Sequence, residues 1–225
     1  PMRGIGIADH YKCEDVDTLQ TSWFYNWFGT HPCPGQTKIP WIPMIFGAKD
    51  IHLTEKLKGS NYDALLGFNE PNAHNQANMT VQEALDLWPQ LMATGLRLGS
   101  PAAAAFDRGA FTWTKQFMDG AKQRGYRVDF IALHWYINKG LTLQTMREFF
   151  QEVRTTYPGY KVWLTEFANT TGTMQENIDY FNGVYDMISG EFSDIVERYA
   201  WFTSRWSNHP GDYYLIDDKT NGLTE

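Results

Sequence analysis

The stretch that decides the fold runs from Leu65 to His74 and reads LLGFNEPNAH. Its first residues are apolar and suit a buried strand, which Asn69, Glu70 and Pro71 bring to a stop. Pro71 has no N–H to give a sheet ladder, so the strand ends there. A carboxylate set straight after an apolar run is costly to bury unless it is paired or used. The pattern recurs in VWLTEFA from Val162, where Glu166 follows a second apolar run.

Outward from these two, the chain shows eight short apolar runs. They are GIGIADH from Gly4, SWFYNWF from Ser22, WIPMIFG from Trp41, ALLGFNE from Ala64, RLGSPAA from Arg97, FIALHWY from Phe130, VWLTEFA from Val162 and RYAWFTS from Arg198. Amphipathic segments separate the later runs. Thr80 and Glu83 form a capping box ahead of Val81, Ala84, Leu85 and Trp88 on one helical face, and Pro89 is expected to kink or divide that helix. Phe111, Thr114, Phe117, Met118 and Ala121 give a second stripe; Leu143, Met146, Phe150 and Val153 a third. Thr173 and Glu176 cap the last, with Met174, Ile178, Phe181, Tyr185 and Ile188 as its apolar stripe.

Strands alternating with helices predict a parallel sheet, and eight of them a closed barrel. The fold class is therefore α/β: a compact (β/α)8 TIM barrel forming a single catalytic domain over residues 1–225. Residues 29–40 are rich in Pro and Gly and the tail after the eighth run shows no helical pattern, so the early helices are abbreviated and no final helix is clear. An open doubly wound sheet is the alternative, but IADHYKCEDVD after the first strand lacks a Gly-rich phosphate fingerprint.

Composition narrows the function. With 43% hydrophobic and 20% charged residues the chain is globular rather than disordered. No apolar run approaches the roughly 18 residues of a membrane helix. The net charge of −7 and the lack of basic runs disfavour nucleic acid and anionic membranes as partners. Aromatic residues make up 16%, mostly for the core, with a share suited to stacking on sugar rings. The opening PMRGIGIADHY reads as a strand, so a leader was either removed or never present. Cys13 and Cys33 either bridge neighbouring loops or stay free thiols; a bridge would contribute on the order of 3 kcal/mol. Asn78 and Asn169 head glycosylation sequons, the first on an exposed loop and the second too near Glu166 to carry a glycan.

A barrel keeps its active site at the carboxyl ends of its strands. Those ends supply Asn26 and Trp27, Phe46, Asn69 and Glu70, His134 and Tyr136, Glu166, and Trp201. Asp9 and His10 end the first run, either as sugar contacts or as a structural pair. His31, His52, His74 and His209 have no metal-ligand spacing and read as surface. Trp23, Trp41, Trp88, Trp113 and Trp163 suit core positions; Trp27, Trp135 and Trp206 stay open between core and cleft. Two carboxyl groups converging on one mouth are what glycosidic hydrolysis needs, one protonated and one ionised. Phe68 and Pro71 lay apolar surface beside Glu70, while His134, Tyr136 and Asn26 offer donors to Glu166.

GFNEPN followed by WLTEFA resembles the clan A glycoside hydrolases, in which Asn-Glu ends strand four and a second Glu ends strand seven. LLGFNEPN, LWPQLMATGLRLGSPA, DFIALHWY and VWLTEFA, in this order from Leu65 to Ala168, are similar to glycoside hydrolase family 128, the glycosyl hydrolase catalytic core barrels that act on β-1,3-glucan. The resemblance implies that Glu70 is the general acid/base, that Asn69 bonds the sugar 2-hydroxyl and that Glu166 is the nucleophile. It further implies that His134 and Tyr136 line the floor, with Tyr136 bonding Glu166, and that Trp201 is a platform under the sugar. Asn26, Trp27 and Phe46 join the substrate-binding set. The expectation is a secreted or cell-wall retaining endo-β-1,3-glucanase, monomeric, with no metal and no cofactor, taking β-1,3-glucan polysaccharide or oligosaccharide. Its carboxyl groups should lie about 5–5.5 Å apart. The alternatives are another clan A activity (exo-β-1,3-glucanase, mannanase, xylanase or β-1,4-glucanase) and a non-catalytic β-glucan-binding barrel.

Overall fold

The computed structural model describes residues 1–8, 10–105, 109–137, 141–205, 212–217 and 219–224. Asp9, Trp206 and His209 lie outside the described residues. In chain order the strands are β1 (Met2–Gly6), β2 (Trp23–Tyr25), β3 (Ala64–Leu65), β4 (Arg97–Leu98), β5 (Phe130–Tyr136), β6 (Lys161–Ala168) and β7 (Val196–Phe202). Five of them form a parallel sheet in the order β2-β1-β7-β6-β5, and β3 and β4 form a parallel pair. Isolated parallel bridges Phe24–Trp41, Met44–Leu66 and Gly99–Phe130 join the pieces in chain order. Residues 41–44 thus hold the third place, and the circuit closes as an α/β barrel.

The third run makes bridges rather than a ladder because Pro40 and Pro43 remove two of its donors. At Gly67 the next strand comes so near that an added Cβ would lie 2.8 Å from the Gly99 carbonyl oxygen. That close approach needs glycine.

The helices are α1 (Asp15–Thr18), α2 (Thr54–Leu57), α3 (Val81–Met92), α4 (Gly109–Gln123), α5 (Leu143–Thr156) and α6 (Met174–Ser189), with a 3-10 turn at Ala48–Leu53. The early connections are short, and no helix follows β7 among the described residues. Capping boxes start α3 at Thr80, α5 at Thr142 and α6 at Thr173. Two expectations are corrected. Pro89 does not divide its helix: α3 continues through it to Met92, and burial of Trp88 and Leu91 beside the proline offsets the missing backbone bond. On α6 the buried face is Asn177, Tyr180, Val184, Met187 and Ile188, while Ile178 and Tyr185 are 44% and 45% exposed. The stripe chosen from sequence straddles the edge of that face.

Strand alternation sorts the core into two layers. Trp23, Tyr25, Met44, Leu66, Phe130, Trp163 and Ala200 fill the barrel, with Phe130 stacked on Trp163 at 4.1 Å between ring centroids. The larger layer packs between strands and helices, and includes Phe68, Trp88, Phe117, Phe167 and Trp201. A disulfide joins Cys13 and Cys33, tying the loop after β1 to the loop after β2. His31 is not a solvated surface group: it is half-buried, its ring centroid 4.8 Å from that of Trp41, and its Nδ1 accepts from the Cys33 N–H.

Candidate active site

Both carboxylates are placed by departures from regular strand geometry. Beyond β3, Asn69 bridges to Ala102, and the Glu70 N–H donates to the Ala102 carbonyl at 2.8 Å. Glu70 then takes a φ of +43°, in the left-handed region where a Cβ is unfavourable. The Ala73 N–H closes a turn onto the Glu70 carbonyl, so the strained residue is held from both sides.

Glu166 is aimed by a bulge. β5 pairs Leu133 with Leu164 but His134 with Glu166, which leaves Thr165 as the extra residue of β6. Trp163 faces the barrel interior, so strict alternation would turn Glu166 outward with Leu164. The extra residue reverses the phase: Glu166 faces the cleft and Phe167 packs outside on Trp201, 5.0 Å between centroids.

Between the carboxylates sits His134, buried beneath both. Its Nδ1 is 3.0 Å from Glu70 Oε1, and its Nε2 is 3.3 Å from Glu166 Oε1, at ion-pair distance but outside hydrogen-bond geometry. Ligand-type atoms of Glu70, His134 and Glu166 all lie within 4.8 Å of one another. Each ring nitrogen faces a carboxylate, which is an ion-pair arrangement rather than a chelating one. Glu166 is further held by the Trp27 indole N–H on Oε1 at 2.7 Å and by the Tyr136 hydroxyl on Oε2. The Tyr25 hydroxyl donates to the Thr165 carbonyl at 2.8 Å and stands 3.4 Å from Glu166 Oε1.

Burial pushes the Glu166 carboxyl above the usual range, and the nearby Glu70 adds to the rise. The His134 charge and the Tyr136 and Trp27 donors pull it part of the way back. For His134, burial works against the charged form, but Glu166 and Glu70 together outweigh it and raise its pKa. Burial first, and then the Glu166 charge, hold the Tyr136 and Tyr25 hydroxyls well above their ordinary value, so both remain neutral donors.

The carboxylates open onto a cleft of about 680 Å³ that Asn26, Trp27, Phe46, Asn69, Tyr136 and Phe202 help to line. Asn69 donates to Gln76 at 3.3 Å, while its Oδ1 is buried without a hydrogen-bond partner. Asn26 borders the cleft, but its Oδ1 accepts from the Trp41 indole at 3.0 Å; the donors to Glu166 are Trp27, Tyr136 and, at 3.4 Å, Tyr25 instead. Trp201 is corrected outright. It is buried on the outer face of β7, packed on Phe167 and Phe181, with its N–H on the Tyr213 carbonyl at 2.6 Å. Phe202, one residue later, takes the cleft-facing place and packs against Trp27 and Tyr136. Parity along RYAWF carries that signal, because Ala200 inside the barrel puts Phe202 on its side and Trp201 on the other. Tyr25, missed in the sequence, shares parity with Trp23 in the same way. His10, His52 and His74 are exposed. Asn78 is exposed, whereas Asn169 is half-buried, with its backbone N–H on the Asn177 side chain at 3.0 Å.

A family model described as Glycosyl hydrolase catalytic core matches residues 4–225. Among solved structures, the chain resembles a family 128 subgroup I endo-β-1,3-glucanase from Amycolatopsis mediterranei in complex with laminaritriose. It is 34% identical, covering 98% of this chain and 95% of that one, with a TM-score of 0.83. A subgroup III curdlan-specific exo-β-1,3-glucanase from Blastomyces gilchristii, in complex with glucose, is 26% identical over 99% of this chain and 94% of that one, with a TM-score of 0.78. A curated relative, alkali-sensitive linkage protein 1 of Schizosaccharomyces pombe, is 24% identical over the whole chain, which spans 42% of that relative's length.

Proposed function

Since the chain belongs to the glycosyl hydrolase catalytic core family and to glycoside hydrolase family 128, whose β-1,3-glucanases it matches along its length, we propose that it hydrolyses β-1,3-glucan as a retaining endo-enzyme with Glu166 as nucleophile and Glu70 as acid/base. The observation that carries the reading is the pair of buried carboxylates on one cleft, with oxygens within 4.8 Å. Oxygens that close favour the retaining arrangement, with carboxyl groups about 5–5.5 Å apart, over the inverting one at about 6.5–9.5 Å.

In the first step a Glu166 oxygen forms a bond to the anomeric carbon as the bond to the leaving sugar breaks. Glu70 gives its proton to the departing oxygen. In the second, Glu70 takes a proton from water, the water oxygen bonds the anomeric carbon, and the ester to Glu166 breaks. Tyr136 and Trp27 hold the attacking carboxylate, and Asn69 lines the cleft beside Glu70, in position for the sugar 2-hydroxyl. Neither step calls for a metal or an organic cofactor.

Endo action is supported by the higher identity to the subgroup I endo-enzyme, 34% against 26% for the exo-enzyme. The disulfide supports an oxidising, extracellular or cell-wall setting. We take a monomer as the acting form, since Glu70 and Glu166 and the described donors Trp27 and Tyr136 stand together on this chain. The test is a digest of laminarin, curdlan, mannan, xylan and β-1,4-glucan. We expect activity on the first two only, with mixed short oligosaccharides released from the start. Glucose as the sole early product would overturn endo action, and turnover confined to another polymer would overturn the substrate.

A further inference from the structure

The loop after β2 carries a feature that sugar binding leaves unexplained. Trp27 adopts a φ of +63°, unusual for a bulky residue. Its ring is locked by Tyr25 at 4.8 Å and Phe202 at 5.6 Å between centroids. Gly6 makes the space, since a Cβ there would come within 2.7 Å of the Trp27 ring. A strained backbone, a ring held on several sides and a glycine gap all serve one geometry, the indole N–H 2.7 Å from Glu166 Oε1.

We propose that Trp27 is a positioning residue for Glu166: its indole N–H fixes one carboxylate oxygen while the Tyr136 hydroxyl fixes the other. The inference deepens the proposed function and rests on Glu166 being the nucleophile. Among the described ion pairs, His134 is the one cationic group facing Glu166. The remaining groups around it are the Glu70 carboxylate and the neutral Tyr25 and Tyr136 hydroxyls. The Trp27 and Tyr136 donors take one oxygen each, with the Tyr25 hydroxyl 3.4 Å from Oε1 as well, and they orient the carboxylate where the His134 contact, outside hydrogen-bond geometry, does not. A N–H committed to Glu166 is also not free to bond a sugar hydroxyl, so the ring's role in substrate binding is limited to its exposed edge.

The test replaces Trp27 with 3-benzothienylalanine, which keeps the bicyclic ring and puts sulfur where the N–H was; Trp27→Phe is the second variant. Glutamate carboxyls are labelled with ¹³C and titrated by NMR, with the Glu166 signal assigned by its loss in Glu166→Gln. Removing a donor to the charged form raises the carboxyl's midpoint. We expect a rise of about one pH unit in both variants. On a soluble β-1,3-oligosaccharide kcat should fall about tenfold, KM should stay near the parent value, and the acid limb of kcat/KM should move to higher pH. An unchanged Glu166 midpoint in the benzothienylalanine protein, or a raised KM with unchanged kcat, would overturn the assignment. If the parent cleaves no β-1,3-glucan the proposed function fails, while the titration still decides the role of Trp27.

Discussion

Glu166 shows how a single side chain carries the conflict between folding and function. Burial raises its carboxyl, yet the attack we propose for it needs it ionised. The acid limb of kcat/KM is therefore expected above the usual carboxylate range. Tyr136→Phe removes a donor to the charged form, so the limb should shift further upward; a limb that stays in place would show that the hydroxyl does not stabilise the charge. Glu166→Gln should cut kcat/KM at least about a thousandfold. The same variant tests stability. A carboxyl whose folded pKa is raised contributes stability below its unfolded pKa, and that contribution is lost as pH rises through the folded value. Gln has no such loss, so Glu166→Gln should melt above the parent at neutral pH, with the gap closing below about pH 4. Thermal melts across that range check the sign. The place of Glu70 and Glu166 at the cleft was legible because each carboxylate interrupts an apolar run; the left-handed φ of Glu70 was not, since no glycine or asparagine marks the position.

Elements hide their information in phase. Along FIALHWY simple alternation holds, and His134 and Tyr136 share the inner face with Phe130 and Ala132. On VWLTEFA it fails, because Thr165 is an extra residue that the sequence spells like any other. Trp201 illustrates the opposite case: alternation holds on β7 from Arg198 onward, and proximity to the strand end is a poorer guide than parity to a known inner residue. α3 offers a test of a local rule that tertiary packing overrode. Pro89 costs the helix a backbone bond that the burial of Trp88 and Leu91 offsets. Pro89→Ala should restore the bond and raise stability by about 2 kcal/mol, or about 4–8 °C in Tm. A lower Tm would mean that the ring's own packing outweighs the missing bond.

At the scale of the molecule, barrel architecture was readable from eight apolar runs and their spacing, even though proline reduces the third to bridges. The state of the cysteines was not readable, since two thiols in sequence carry no record of their distance. As a bridge, Cys13–Cys33 couples the loops after β1 and β2, and Trp27 and Phe28 on the second of these line the cleft. The double variant Cys13→Ser/Cys33→Ser should lose about 3 kcal/mol, a drop of about 6–12 °C in Tm; an unchanged melt would mean the bridge constrains little. What unites the scales is the claim that two carboxylates, brought together by a bulge and a left-handed turn, perform a double displacement on β-1,3-glucan. The most direct measurement is to treat the protein with a 2-deoxy-2-fluoro laminaribiosyl fluoride, which slows the second step, and to map the adduct by peptide mass spectrometry. The account predicts a glycosyl group on the peptide bearing Glu166; a protein that stays unlabelled while releasing product of inverted anomeric configuration from β-1,3-glucan would contradict it.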